Sequence, residues 1–311
     1  MAEHQLDPGK IHFKWNNALD PALRIAPGDV VHCWTQEVTN GQIGPDSKAE
    51  EIPKVDFDQI YPLAGPIHVD GAEPGDALSV EILSLEPDDW GWNGIIPGLG
   101  LLSDDFGDPY IRHWDLSDGQ TTRLDDRAVI PLQPFCGTMG VAPAEPGEHF
   151  NLPPGNFGGN VDIRHLNEGA RLLLPVQVPG ALFSAGDCHA VQGDGEVCVT
   201  GLECPMSFSL RFGLEKGAGL ASPAFYTHGS PLSRHDTEAG YFATTGVGPD
   251  LMENAKNSVR RMIDWLGKEH GLSPEDAYLL CSLAGDLKIS EIVDAPNWLV
   301  SFYMPLGIFR R

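Results

Sequence analysis

Between Ser184 and Val197 the chain reads SAGDCHAVQGDGEV, which places Asp187, His189, Asp194 and Glu196 within ten residues. Apolar runs flank the stretch, RLLLPVQVPGALF before it and VCVTGLECPMSF after it. Asp187 and His189, two residues apart, project to the same side of an extended chain. A carboxylate oxygen and an imidazole nitrogen at that spacing suit zinc. The GDGE that follows is an Asp-Gly hairpin signal, which turns the chain and brings the next segment back beside Asp187. Read as a strand, EVCVTGLEC puts Glu203 on a face shared with Val197, Val199 and Gly201. A carboxylate in that company needs a partner, since an isolated buried charge is too costly to keep. An arginine, a metal ion or a catalytic network would each serve.

Upstream, the loop GGNVD adds Asn160 and Asp162, with glycines that let backbone approach a ligand or metal closely. Asp162 reads equally well as an Asx-turn former. Cys136 in PFCGTMG and Cys188 beside His189 offer a different chemistry, a thiolate nucleophile with a neighbouring base. On an extended strand, however, Cys188 points away from Asp187 and His189. The EF-hand spacing is absent, as are G-x-G-x-x-G after a strand, the Walker A sequence and H-E-x-x-H, so nucleotide and zincin readings fall away.

The elements that must hold these residues are mostly strands. With 36 Gly and 26 Pro in 311 residues, the chain is rich in turns. Each PGD, at Pro27–Asp29 and Pro74–Asp76, feeds a strand: DVVHCWTQEV and ALSVEILSL. IHFKW, PIHVDG, AVIPLQPFCGTMGVAPA and ARLLLPVQVPGALFSA read as further strands of a closed or sandwiched sheet. DDWGWNGIIPGLGLLSDDFGD reads as a loop carrying Trp90 and Trp92, and a lid or site wall and a loop packed onto the core are equally good readings of it. Near the C-terminus, Leu251, Ala255, Val259, Met262 and Leu266 recur at intervals of three and four, between Pro249 and Gly271, which predicts an amphipathic helix. A second helix is expected from Ser273 to Gly285, and NWLVSFYMPLGIF closes the chain as a strand. The expectation is a mainly β protein with a β-sandwich or barrel-like core and a C-terminal α+β portion. Its segments are an N-terminal β-rich domain over 1–135, a β core carrying the site over 136–220 and the α+β portion over 221–311.

A formal charge of −24 without a Lys/Arg cluster opposes nucleic acid. No run of 18 apolar residues and no apolar signal core in Met1–Pro27 are present, so a cytoplasmic protein without a membrane partner is expected. The six cysteines lack C-x-x-C spacing and read as buried, reduced thiols.

GDCHAVQGDGEV and TGLE, preceded by GGNVD and by PLAGPIHVDGAEPGDALSVEIL, resemble the acetamidase/formamidase family. The resemblance runs from about Val30 to Glu203 and thins in the C-terminal third. It implies hydrolysis of small linear amides to a carboxylate and ammonia, a β-rich fold with an α+β appendage, and a homo-oligomer. It places the family's polar positions on Asn160, Asp162, Asp187, His189, Gln192, Asp194, Glu196 and Glu203, with His12 as a further candidate. On this reading Asp162, Asp187, His189 and Glu203 bind one or two divalent cations, zinc or alternatively calcium. Such ions polarise a carbonyl and bring the pKa of bound water towards roughly 7. Glu203 or Glu196 would move the proton, and Asn160 and Gln192 would bind the substrate amide. Two alternatives stand beside it: a cysteine-nucleophile amidase, and a non-catalytic β module that binds through the Trp90 and Trp92 loop with calcium as a staple.

Overall fold

A computed structural model of the chain describes every residue except 101, 102, 104–106, 125–127, 197, 228–238, 273, 275, 276, 278–284, 310 and 311. Two sheets face each other. The nine-stranded sheet runs in the order Glu3–Gln5, Val30–Thr35, Met206–Glu215, Ala77–Pro87, Arg171–Pro175, Ala224–Tyr226, Tyr241–Gly248, Trp298–Pro305, Asp286–Glu291. Its first pair is parallel and the rest are antiparallel. The six-stranded sheet runs Gly158–Asn160, Phe135–Gly140, Phe183–His189, Leu63–Val69, Ile11–His12, and Leu23–Ile25 also pairs with Leu63–Val69. Strands from 1–135, 136–220 and 221–311 all enter the nine-stranded sheet, so the three sequence segments share one scaffold.

The period-2 pattern explains the sandwich. Along Met206–Glu215, Phe208, Leu210 and Phe212 are buried while Ser207, Ser209 and Arg211 are not. Leu78, Val80 and Ile82 of Ala77–Pro87 are buried with them, in a strand whose first four residues are all buried. These side chains meet Ile67, Met139, Phe183 and Ala185 of the opposite sheet in one continuous core. Phe183 and Phe212 close the gap edge to face, with ring centroids 5.2 Å apart.

The expected helix forms over Leu251–His270 and lies on the outer face of the nine-stranded sheet, where Met262 and Leu266 pack with Phe242, Phe302 and Met304. Asp250 caps it by accepting from the Glu253 N–H, and Gly271 ends it in left-handed backbone at φ 67°. The buried face differs from the expected stripe, for Asn254 and Ser258 are buried where Leu251, Ala255 and Val259 are only half-buried. Close approach is the reason. A Cβ on Gly246 would stand 1.9 Å from the Asn254 carbonyl oxygen, so the first turns lie almost against the strand. Asn254 uses that proximity, its Nδ2 donating to the carbonyls of Gly248 at 2.7 Å and Trp298 at 2.9 Å. The expected second helix lies almost wholly outside the described residues. No described helix is long and apolar enough to cross a membrane.

The Trp-rich stretch is corrected. Trp90–Ile95 is a strand paired with Tyr110–Asp115, not a loop. Trp92 is buried, and its indole N–H donates to Glu37 at 3.0 Å. Gly91 and Gly94 interrupt WGWNGI with residues that weaken a strand signal, which is why the stretch reads as a loop.

Gly246→Ala is expected to destabilise the protein by about 1–3 kcal/mol or more, because backbone rather than a flexible side chain must give way. Urea denaturation midpoints beside Gly213→Ala, whose Cβ meets nothing nearer than 3.4 Å, test it; equal midpoints would contradict the packing described.

Candidate functional site

His189 stands at the centre of a buried cluster. Its Nε2 lies 3.2 Å from Glu203 Oε1, 3.4 Å from Asp187 Oδ1 and 3.8 Å from Glu196 Oε1. On the other side of the ring, Nδ1 is 3.9 Å from Asp162 Oδ1. All five side chains are buried.

Four separate pieces of chain deliver them. Asp187 and His189 end the strand Phe183–His189, and Asp162 follows the strand Gly158–Asn160. Glu203 comes back antiparallel to His189: Ala190 N–H donates to Leu202 O, Leu202 N–H to Val191 O and Cys204 N–H to Cys188 O, at 2.8 to 3.0 Å. On its other side Glu203 exchanges both backbone hydrogen bonds with Trp92. The expected return of the chain is therefore observed, but the described residues of EVCVTGLEC form no regular strand. Glu203 makes isolated bridges, and the preceding loop folds inward with Glu196 at φ 45° and Val199 at φ 72°. That inward fold carries Glu196 into the cluster, while Asp194 stays exposed.

Small residues make room. A Cβ on Gly137 would lie 2.4 Å from Asp162 Oδ1 and 2.6 Å from Asp187 Oδ2, and one on Gly201 would lie 2.7 Å from His189 Nδ1. Neither glycine stands out in the sequence, where PFCGTMG draws attention to its cysteine.

Gln192 and Asn160, both expected to bind the substrate amide, are held by neighbouring groups of the protein. Gln192 Oε1 accepts from His189 Nδ1 at 2.7 Å, and its Nε2 donates to the Asp162 carbonyl at 3.2 Å. Both ends of the amide are engaged, so Gln192 holds the imidazole, with Nδ1 protonated and Nε2 turned to the carboxylates. Asn160 is pinned as well: Thr138 Oγ1 donates to its Oδ1 at 2.5 Å, and its Nδ2 donates to Asp294 Oδ2 at 2.6 Å. Asp294, buried beside the cluster, carries no motif in SEIVDAPNW and is missed by sequence reasoning.

Electrostatics define what the cluster needs. Among the described residues no Lys or Arg pairs with these carboxylates. Burial pushes the Asp162 carboxyl well above the usual carboxylate range, and Asp187 pushes it the same way. Burial likewise raises Glu196, aided by Asp162, and raises Glu203 to about 7 against the pull of His189. Burial opposes a charge on His189, yet the Glu203 and Asp187 carboxylates hold it well above the ordinary imidazole range. Both Asp162 side-chain oxygens, Glu203 Oε2 and Asp294 Oδ1 are buried without a hydrogen-bond partner. One imidazole cannot offset that much negative charge. Ligand atoms of Asp162, His189 and Glu196, and of Asp187, His189 and Glu203, lie within 4.8 Å of one another in each trio. Unpartnered carboxylate oxygens, an imidazole Nε2 turned to the carboxylates and a cradle that a Cβ would fill all fit a divalent cation.

The cysteines do not join the site. Cys136 and Cys188 lie in the sandwich core with Sγ atoms 3.7 Å apart, and their mutual hydrogen bond and burial push the Cys136 thiol up. His12 is also elsewhere, donating from Nδ1 to the Lys14 carbonyl at 2.9 Å and accepting at Nε2 from the Ser184 hydroxyl at 2.7 Å.

A model of the Acetamidase/Formamidase family matches residues 2–150 and 147–311. The chain belongs to the acetamidase/formamidase family. Within it, the chain is 28% identical to the formamidase of Methylophilus methylotrophus, over 97% of this chain and 90% of that one. It is 29% identical to the acetamidase of Mycolicibacterium smegmatis, over 89% and 85%. The structure of an acetamidase from Bacillus halodurans matches with a TM-score of 0.89 at 30% identity, covering 98% of each chain.

Burial pushes the His12 pKa down from 6.5 to about 4, against a smaller upward pull from the Lys14 carbonyl. The unfolded chain therefore binds this proton first as pH falls, and stability drops between about pH 6.5 and 4. His12→Asn should lower the pH slope of the unfolding free energy in that window by about one proton; a slope identical to wild type, measured by denaturation across the range, would refute the neutral assignment.

Proposed function

We propose that the protein hydrolyses small linear amides to a carboxylate and ammonia, with water as the nucleophile and Asp162, Asp187, His189, Glu196 and Glu203 as the working site. The observation that carries this reading is His189 Nε2 facing the carboxylates of Asp187, Glu196 and Glu203 within 3.8 Å, with no other cationic side chain described there. Family membership supports the amide as substrate.

Asp187, His189 and Glu203 would hold one divalent cation, and Asp162 shares His189 with them closely enough to hold a second or to complete the first set. The imidazole among the donors favours zinc over calcium, which takes oxygen ligands. Such an ion supplies Lewis-acid polarisation of the amide carbonyl and a more acidic water.

The chain's own residues do the rest. Gln192 fixes the ring of His189 through Nδ1, so Nε2 keeps one direction. Thr138 and Asp294 fix Asn160 at the edge of the cluster, leaving one Nδ2 hydrogen for an incoming carbonyl. Glu196 sits on the loop between the cluster and the open cleft lined by Trp114, Gln133 and Arg164. There it can take a proton from the attacking water and return it to the nitrogen as the C–N bond breaks, so that ammonia leaves protonated. Water excluded by the surrounding core strengthens each of these interactions.

A cytoplasmic location fits Cys136 and Cys188, which remain thiols at 3.7 Å. Assembly into a homo-oligomer fits the edge strand Asp286–Glu291, which exposes Leu287 and Ile289.

Chelation of the purified enzyme should abolish ammonia release from formamide, acetamide and propionamide, and added zinc should restore it; activity indifferent to removal of every divalent ion would end the metal assignment. Glu203→Gln and His189→Ala should each lower kcat/KM by about 100-fold or more. Unchanged turnover in both would remove this site from the reaction. Gly137→Ala should cost a comparable factor together with metal content, since its methyl group displaces Asp162 and Asp187; a fully metallated, fully active variant would show the cradle to be incidental.

A further inference from the structure

Beside the cluster lies a small enclosed cavity of about 50 Å³. Its floor is the site itself, formed by Asp187, Glu196 and Glu203. Its walls are apolar: Ile43, Ile52, Ile60, Trp92, Leu152 and Val199. Phe57 and Leu99 also line it and are 44% and 36% exposed, so they mark the side that meets solvent.

The wall offers little to a polar or charged substituent. Thr39 Oγ1 donates to Glu37 at 2.7 Å, and Thr200 Oγ1 is engaged by both N–H and C=O of Gly94 at 3.1 Å. Only Tyr61 adds another polar tip. Trp92 is locked as a wall by its hydrogen bond to Glu37, which itself accepts from Thr39 and Gly41. The cavity is thus preformed, apolar and open at one end to reacting groups, as ligand subsites generally are. A single water needs on the order of 10–15 Å³, so the space holds a few non-hydrogen atoms and no long chain.

Val199 is held where it is at a conformational cost. Its φ of 72° is an outlier for a β-branched residue, and it falls between Glu196 and Glu203 in the chain. Val199 thereby lines the cavity together with Glu196 and Glu203.

We propose that this cavity is the acyl subsite: it receives the R group of the amide RCONH2, and Val199 and Leu152 set how large R can be. The inference rests on the amide-hydrolase reading above.

The test is kcat/KM of the zinc-loaded full chain for formamide, acetamide, propionamide, butyramide and isobutyramide, in wild type, Val199→Ala, Val199→Leu and Leu152→Ala. Wild type should decline beyond the smallest members and discriminate against isobutyramide. Val199→Ala and Leu152→Ala should raise the butyramide-to-formamide ratio by about tenfold or more, the scale on which one methylene is sensed by an apolar pocket. Val199→Leu should lower the propionamide-to-formamide ratio. Ratios within each variant are compared, so a change in absolute rate does not obscure the result. Leu152 is half-buried and outside the core clusters, so its variant remains readable if changes at Val199 impair folding. Ratios that stay within about twofold of wild type in variants that still turn over formamide would overturn the subsite and leave the hydrolase reading intact. Wild type that releases no ammonia from any of the five amides would overturn both.

Discussion

The constraint on which the rest depends is negative charge held out of water. Asp162, Asp187, Glu196, Glu203 and Asp294 are all buried, and among the described residues the basic side chain between them is a single imidazole. Like charges at this density repel strongly in a low-dielectric interior, and the isolated chain answers by taking up protons, the direction in which Asp162, Glu196 and Asp294 are all pushed. A cation satisfies the same demand without protons and frees the carboxylates to work. Small residues follow from this constraint. Gly137 and Gly201 are small because the groups beside them must converge.

Convergence explains why so much sheet surrounds so few reacting atoms. The six-stranded sheet brings Thr138 opposite Asn160 on one side and Gly186 on the other by register, and the Thr138 hydroxyl reaches both Asn160 and Asp187. The nine-stranded sheet contributes from its far edge. Gly195 pairs with Glu291 and donates to Ser290 O, tying the loop that bears Glu196 to the hairpin that bears Asp294. The C-terminal portion, which looks like an appendage by composition, is therefore physically part of the site. Asp294 reaches Asn160 across 134 positions of sequence.

Legibility in sequence follows the range of the interaction. Asp187 and His189 were readable because they lie two residues apart in one short motif, although Asp187 itself leaves extended backbone at φ 53°, and the Asp-Gly turn announced that Glu203 would return beside them. The amphipathic helix was readable for the same reason, down to its glycine end. What escaped was set by sheet pairing or by departure from regularity. Trp92 looked like a loop aromatic because Gly91 and Gly94 read as turn residues, although it is a buried strand residue bonded to Glu37. Gln192 looked like a substrate ligand because its amide suits one, but only its neighbours in space show that His189 and Asp162 already occupy both ends. Asp294 had no signal to find, since its proximity to Asn160 exists only after the last strands are in place.

Departure from regularity is itself concentrated at the site. Of the eight described non-glycine residues with positive φ, Asp162, Asp187 and Glu196 supply the cluster and Tyr61 and Val199 line the cavity against it. Each such residue costs on the order of 1–3 kcal/mol and persists only where its surroundings over-determine it. Those surroundings are the rigid sandwich, the paired strands and the Trp92–Glu37 lock. Regular strand geometry would send alternate side chains to opposite faces and disperse the carboxylates. A left-handed turn at Asp187, within its strand, and at Glu196, within its loop, redirects them to a common point. The same irregularity carries Val199 inward, so the backbone distortion that assembles the reacting groups also shapes the apolar space beside them. Charge convergence and substrate size thus have one structural origin, the inward fold of the chain between Gly195 and Glu203.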